Sequence, residues 1–198
     1  MHTLKPTVGA DAWNMYIRRE VDPAFEDFSK KVFERDKNRC AFCGFSSSMY
    51  MKVVNIDGDY SNNKLSNLAT ACPFCQQCLF IEAAGKLQSG GGLMIYAPEI
   101  DQGQLNALSH VLYAAIVNGS AHARLADSYI QSLKLRAPLV EKHYGKNMSD
   151  PAFMGQMIID SPSIDTKRAS ETIFANVRLL PLLDKFETEV AAWARAAL

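Results

Sequence analysis

Two Cys-x-x-Cys pairs, Cys40-Ala-Phe-Cys43 and Cys72-Pro-Phe-Cys75, separated by 28 residues, constrain this chain more than any other feature. A Cys-x-x-Cys turn puts two sulfurs on one side of the backbone, and zinc takes soft thiolates at the corners of a tetrahedron. Gly44 directly follows the second cysteine and can take the left-handed conformation such a knuckle uses. Pro73 stiffens the second turn, and the residues after it can start a helix. A knuckle, a hairpin in the intervening residues and a helix carrying the last two ligands make a treble-clef arrangement. Cys40, Cys43, Cys72 and Cys75 are therefore the expected ligands of one structural zinc ion. Four thiolates leave no open coordination position, so such a metal holds structure and does not activate water.

Other uses of the cysteines fit less well. Free cysteines often pack as small hydrophobes, but two Cys-x-x-Cys pairs in one chain argue against coincidence. A thioredoxin-like redox pair would follow a strand in a βαβ unit, and neither pair does. Cys72, Cys75 and Cys78 are evenly spaced, yet the further Cys followed by Pro that a ferredoxin run needs is missing. Cys78 reads as a buried thiol, with a swapped-in ligand as the lesser alternative. The first residues lack the charged and apolar regions of a signal peptide. No apolar stretch approaches the ~20 residues a bilayer core needs. The expected location is the cytosol, where thiols stay reduced.

The spacing predicts a helix from Pro23, with Asp22 as its N-cap. Residues 49–56 read as a strand, 57–63 as a turn and loop, and the residues after Cys75 as a short helical stretch to about Leu87. Ser89-Gly90-Gly91-Gly92 is the best boundary. It divides a zinc-binding region, 1–88, from a mainly helical region, 93–198. In the second region Leu93 to Tyr96 read as a short strand. Helices are expected at about 101–117, 120–136 and 150–159, with a long pair from about 165 to 197, and Pro138 and Pro181 should break or kink their segments. The fold class is α+β. Leu179, Leu180, Leu182, Leu183, Phe186, Val190 and Trp193 form a dense apolar series, mostly core, whose remainder could serve a partner.

Composition sets the partner class. The 198 residues are 48% hydrophobic, enough for a real core, and carry 21 Lys and Arg against 21 Asp and Glu. A chain that lives by neutralising phosphates usually shows a basic excess, so nucleic acid is not the expected partner. The cluster Lys30, Lys31, Arg35, Lys37 and Arg39 is interleaved with Glu26, Asp27, Glu34 and Asp36, which reads as a solvated mixed-charge helix.

From Phe33 to about Leu79 the chain resembles the HNH endonucleases. Val54-Asn55-Ile56 falls on that family's Asp-His-Ile, Asn67-Leu68 on its Asn-Leu, and Cys72-Pro-Phe-Cys75-Gln76 on its closing Cys-x-x-Cys segment. The resemblance implies an HNH-like treble-clef zinc core, and it fails where the chemistry lies. The family's general base falls on Asn55, an amide with no basicity near neutral pH. A metal ligand falls on apolar Val54, and the last on Gln76, or on Gln77 in a shifted register. Asn67 survives, and loop-bracing alone explains it. Asp57-x-Asp59-x-Ser61-x-Asn63 lacks the Gly and the bidentate Glu of a calcium loop and reads as a solvated turn. His2, His110, His122 and His143 are scattered, and His110 and His122 are expected on ordinary helix faces.

Over its whole length the chain resembles the IcmJ/DotN family of Dot/Icm type IVB secretion systems, on Cys40-Ala-Phe-Cys43-Gly44, Cys72-Pro-Phe-Cys75-Gln76-Gln77-Cys78 and the helical second half. That resemblance implies a non-enzymatic adaptor of the coupling complex, binding a coupling ATPase (DotL-like) and other complex proteins and helping to recruit effectors. It implies a cytoplasmic location, held at the inner-membrane face by the complex. The alternatives are an atypical HNH nuclease and a non-catalytic nucleic-acid-binding zinc module.

Overall fold

In the computed structural model, residues 1–86, 90–161 and 165–196 are described, without the side chains of residues 166, 167, 169 and 170. The expected helix ends at Leu87 and 197, the start of the glycine run at Ser89 and the boundary at 88 lie outside the described residues.

Asp22 caps α2 (Pro23–Asp36) by accepting the Ala24 N–H at 2.9 Å, and the proline sits in the first turn where its missing N–H costs nothing. Before it stands α1 (Ala12–Glu20), which the pattern of apolar residues did not bring out. The chain leaves α2 through Lys37 and Asn38, both at positive φ, and enters the cysteine knuckle. There Gly44, at φ 78°, donates its N–H to Cys40 O at 3.0 Å, and Cys40 N–H closes the turn on Phe45 O at 2.7 Å.

The expected strand is β1 (Lys52–Asn55), antiparallel to β2 (Leu68–Ala71), with Lys52 opposite Ala71 and Asn55 opposite Leu68. Helix and knuckle both dock on β2. Asp36 Oδ2 accepts the Thr70 N–H at 2.8 Å, and Ala41 N–H reaches Thr70 O at 2.8 Å. Pro73 then opens the short α3 (Pro73–Gln76).

The second half carries more sheet than its periodicity suggests. The expected strand is β3 (Gly92–Tyr96), and α4 (Gln102–Val117) starts on an Asp101–Gln104 capping box. Next come α5 (Ala123–Lys134), α6 (Ala137–Tyr144), where Pro138 stands in the first turn, and α7 (Pro151–Ile159). The predicted long helical pair is interrupted. Between α8 (Thr166–Ile173) and α9 (Glu187–Ala196) lies β4 (Val177–Pro181), antiparallel to β3 with Tyr96 opposite Val177. A short aliphatic run buried on every side has no period that separates strand from helix. The distant partner β3 decides it.

The protein is thus mixed helix and sheet, with a two-stranded antiparallel sheet in each half. One apolar cluster runs from Phe74 and Ile81 through Met94, Leu112 and Tyr113 to Leu179, Phe186, Val190 and Trp193, so the C-terminal apolar series is largely core. Among the described residues no helix is long and apolar enough to cross a membrane.

Helix α7 packs on the turn Ile81–Ala83. A Cβ on Gly155 would lie 2.5 Å from the Glu82 backbone, so only glycine permits this approach. Glu82 is buried there, and neither carboxylate oxygen has a hydrogen-bond partner among the described residues. Burial pushes its carboxyl from the ordinary 4.5 up to about 7, against weaker opposing effects of the Glu82 and Gly9 amides and Lys86. A carboxyl raised on folding holds its proton more tightly in the folded state. Stability should therefore fall as pH rises from about 4.5 to about 7, by up to about 3 kcal/mol. Urea melts of wild type and Glu82→Gln across pH 5 to 8 check this: the variant should lose that slope and be the more stable at pH 8.

Candidate metal centre

The knuckle, the end of β2 and α3 bring four sulfurs to one point. Cys40 and Cys43 come from the knuckle, Cys72 from the N-cap of α3 and Cys75 from within it. All four Sγ atoms lie within 4.8 Å of one another, and Cys43 Sγ is 3.6 Å from Cys72 Sγ. A tetrahedron with Zn–S bonds of ~2.3 Å has edges of about 3.8 Å, so the cluster is of the right size for one such ion. Every cysteine is free and buried.

Burial pushes the Cys72 and Cys75 thiols up, while the neighbouring sulfurs, Cys43 foremost, pull Cys40 far below the ordinary thiol range. Sulfurs crowded in this way cannot all ionise unless a cation sits among them. Among the described residues this is the one group of three or more His, Cys, Asp or Glu side chains placed to share a metal. Cys78 lies outside it. Its S–H donates to Phe74 O at 3.2 Å, and burial pushes it up to about 12.

One histidine is not where its helix pattern put it. His110 is buried against the cluster, with Nε2 3.3 Å from Cys72 Sγ. Its ring stacks between Phe45, at 3.8 Å between centroids, and Phe74, at 4.2 Å. One turn earlier Asn106 Nδ2 lies 3.2 Å from Cys75 Sγ. The available signal was a run of polar residues on one stripe of an apolar helix: Gln102, Asn106, Ser109 and His110 are all buried.

The positions expected to have lost catalytic groups are filled by structural contacts. Val54 is buried in β1. Asn55 Nδ2 donates to Asp59 O at 2.7 Å and Asn62 O at 2.9 Å, and its Oδ1 accepts from Arg19 Nη1. Arg19, which sequence reasoning passed over, also donates to Val53 O at 2.7 Å and lies 4.1 Å over the Phe25 ring. Asn67 Nδ2 reaches Asp57 Oδ1 and Asn62 O, both at 2.8 Å, so it braces the loop.

The two carboxylates of that loop serve the same turn. Asp57 accepts from the Asp59 N–H and from Asn62 Nδ2, and Asp59 accepts from Ser61. Gln76 ends α3, and buried Gln77 accepts the Gly91 N–H through Oε1 at 2.9 Å. The cavity over this loop, about 350 Å³, is lined by Asn55, Asp57, Tyr60 and Lys5 among others, with no histidine. In the basic cluster Lys30 pairs with Asp27 at 2.8 Å and Glu26 at 3.6 Å, and Arg35 with Asp36 at 2.8 Å.

Fold and site together define a mixed helix-and-sheet protein organised on a buried four-cysteine cluster able to hold one metal ion. No protein-family model matches the chain. It is 44% identical over 195 residues, 98% of this chain and 91% of the relative, to the type 4 apparatus protein DotN of Legionella pneumophila. The chain belongs to the DotN (IcmJ) family.

Asn55 joins Arg19 to the 57–63 loop through three hydrogen bonds, one of them to a charged group. Asn55→Ala strands those partners, and should cost about 2–3 kcal/mol, or about 5–10 °C of melting temperature in a chain this long. Metal content should be unchanged. Thermal melts with elemental analysis of the same samples check both.

Proposed function

We propose that this protein is a non-enzymatic, zinc-stabilised adaptor subunit of a type IV secretion coupling complex. It binds the coupling ATPase (DotL-like) and other complex proteins and helps to recruit effector proteins. Identity to a type 4 apparatus protein along nearly the whole of both chains carries this reading. The zinc is held by Cys40, Cys43, Cys72 and Cys75, and its role is folding free energy. The hairpin between the cysteine pairs, with α3 behind it, is a degenerate HNH-like treble clef.

Region 1–88 carries the metal, and the mainly helical region 93–198 packs against it. The expected location is the cytoplasm, at the inner-membrane face through the complex. A nuclease reading finds no support at Asn55, whose amide is used by Arg19 and two loop carbonyls. Neutral net charge favours protein partners over phosphate.

The purified protein should contain one zinc per chain by elemental analysis. Serine at Cys40, Cys43, Cys72 or Cys75 should remove most of it and lower the melting temperature, while Cys78→Ser should retain it. An iron–sulfur absorption spectrum would refute the zinc assignment. On a sizing column at micromolar concentration the protein should co-elute with the soluble tail of the coupling ATPase. Separate elution, with native purification recovering no secretion component, would refute the adaptor. Metal-dependent DNA nicking abolished by changing Asp57 or Asp59 would restore the nuclease.

A further inference from the structure

A metal ion among four thiolates leaves a net charge of about −2, and burying charge is costly unless donors face it. Two side chains of α4 stand in that position, one turn apart. Asn106 Nδ2 lies 3.2 Å from Cys75 Sγ and His110 Nε2 lies 3.3 Å from Cys72 Sγ.

The orientation of each is fixed by what holds it. Asn106 Oδ1 accepts from Gln102 Nε2 at 2.9 Å and Asn106 Nδ2 donates to Phe74 O at 3.1 Å, so the NH2 end of the amide faces the sulfur. Gln102 is held in turn by β4: its Nε2 donates to Leu179 O and its Oε1 accepts the Leu179 N–H, both at 2.8 Å. The His110 ring is clamped nearly parallel to Phe45, at 4°, and to Phe74, at 18°, which aims Nε2 along the ring plane at Cys72. These contacts come from a helix outside both Cys-x-x-Cys pairs, 34 and 38 residues beyond Cys72.

We propose that Asn106 and His110 are a positioning pair for the metal centre, donating N–H···S hydrogen bonds to Cys75 and Cys72 that neutralise part of the thiolate charge and slow release of the ion. The proposal rests on the metal reading above. It gives α4 a second role, since a chain of hydrogen bonds runs from the β4 backbone through Gln102 and Asn106 to a ligand sulfur.

His110→Phe is the discriminating variant, because it keeps an aromatic ring between Phe45 and Phe74 and deletes only the donor. Full-length wild type, His110→Phe and Asn106→Leu are compared for zinc content, for the rate of zinc transfer to a chelator, and, after cobalt substitution, for the thiolate-to-cobalt absorption band. Both variants should keep one ion. Transfer should be about 10–100-fold faster, the usual cost of losing such a partner. The band should move to longer wavelength, a shift that altered packing alone would not produce.

One ion in every protein with wild-type transfer rates and band positions overturns the proposal and leaves the metal reading intact. A wild type that binds no ion overturns both. Nitrogen NMR of the zinc-loaded wild type tests the pair without any variant: the His110 ring should carry its proton on Nε2, and an unprotonated Nε2 facing Cys72 overturns the proposal.

Discussion

Four buried sulfurs within a few ångströms of one another are the constraint from which the rest of this structure follows. Thiols in that arrangement face desolvation and mutual repulsion as soon as they ionise, and a single soft cation relieves both. The knuckle and α3 contribute two sulfurs each, so the ion would close a loop between segments that share no continuous strand or helix. Their backbones already meet on β2, where Thr70 joins Asp36 through its N–H and Ala41 through its carbonyl. The hydrogen-bonded frame and the sulfur cluster thus fix the same joint twice.

Asn55 and Asn67, at the far end of the same hairpin, are committed to structure. Asn55 shows this best. At a place where the resembled nucleases keep a base, its amide satisfies two loop carbonyls and a buried guanidinium. An amide has one acceptor end and one donor end, and this environment uses both. An imidazole could not replace it without stranding a partner. At this position the amide serves as a brace, and it has no basicity near neutral pH with which to take a proton from water.

Much of this was legible in the sequence where the signal was local. The Asp22–Pro23 helix start, the strand around Val53, the strand before Tyr96 and the meeting of the four cysteines follow from short patterns with a direct mechanism. What was not legible depended on distant partners. Val177 to Pro181 becomes a strand because Gly92 to Tyr96 lies beside it. His110 comes to lie against the sulfur cluster because α4 packs on α3, and nothing in its neighbours announces a sulfur. Arg19 is one more arginine at the end of an amphipathic helix until Asn55 and Val53 O are in view. Helix α1 escaped although Asp11 stands at its N-cap position, and in the structure that side chain makes no cap hydrogen bond.

The pairing of β3 with β4 also has a consequence in time. The ribosome releases the chain from its N-terminus, so the residues that form the first hairpin and all four cysteines emerge before β3. The second sheet must wait for Val177 to Pro181. At roughly 5–20 residues per second this leaves β3 without its partner strand for several seconds, with apolar Leu93, Met94 and Ile95 in need of cover. The cysteine-bearing segment is available for folding early, while the second sheet is completed only after Val177 to Pro181 has emerged. A chain cut short before Val177 would retain every cysteine yet lack the strand that seals its second sheet.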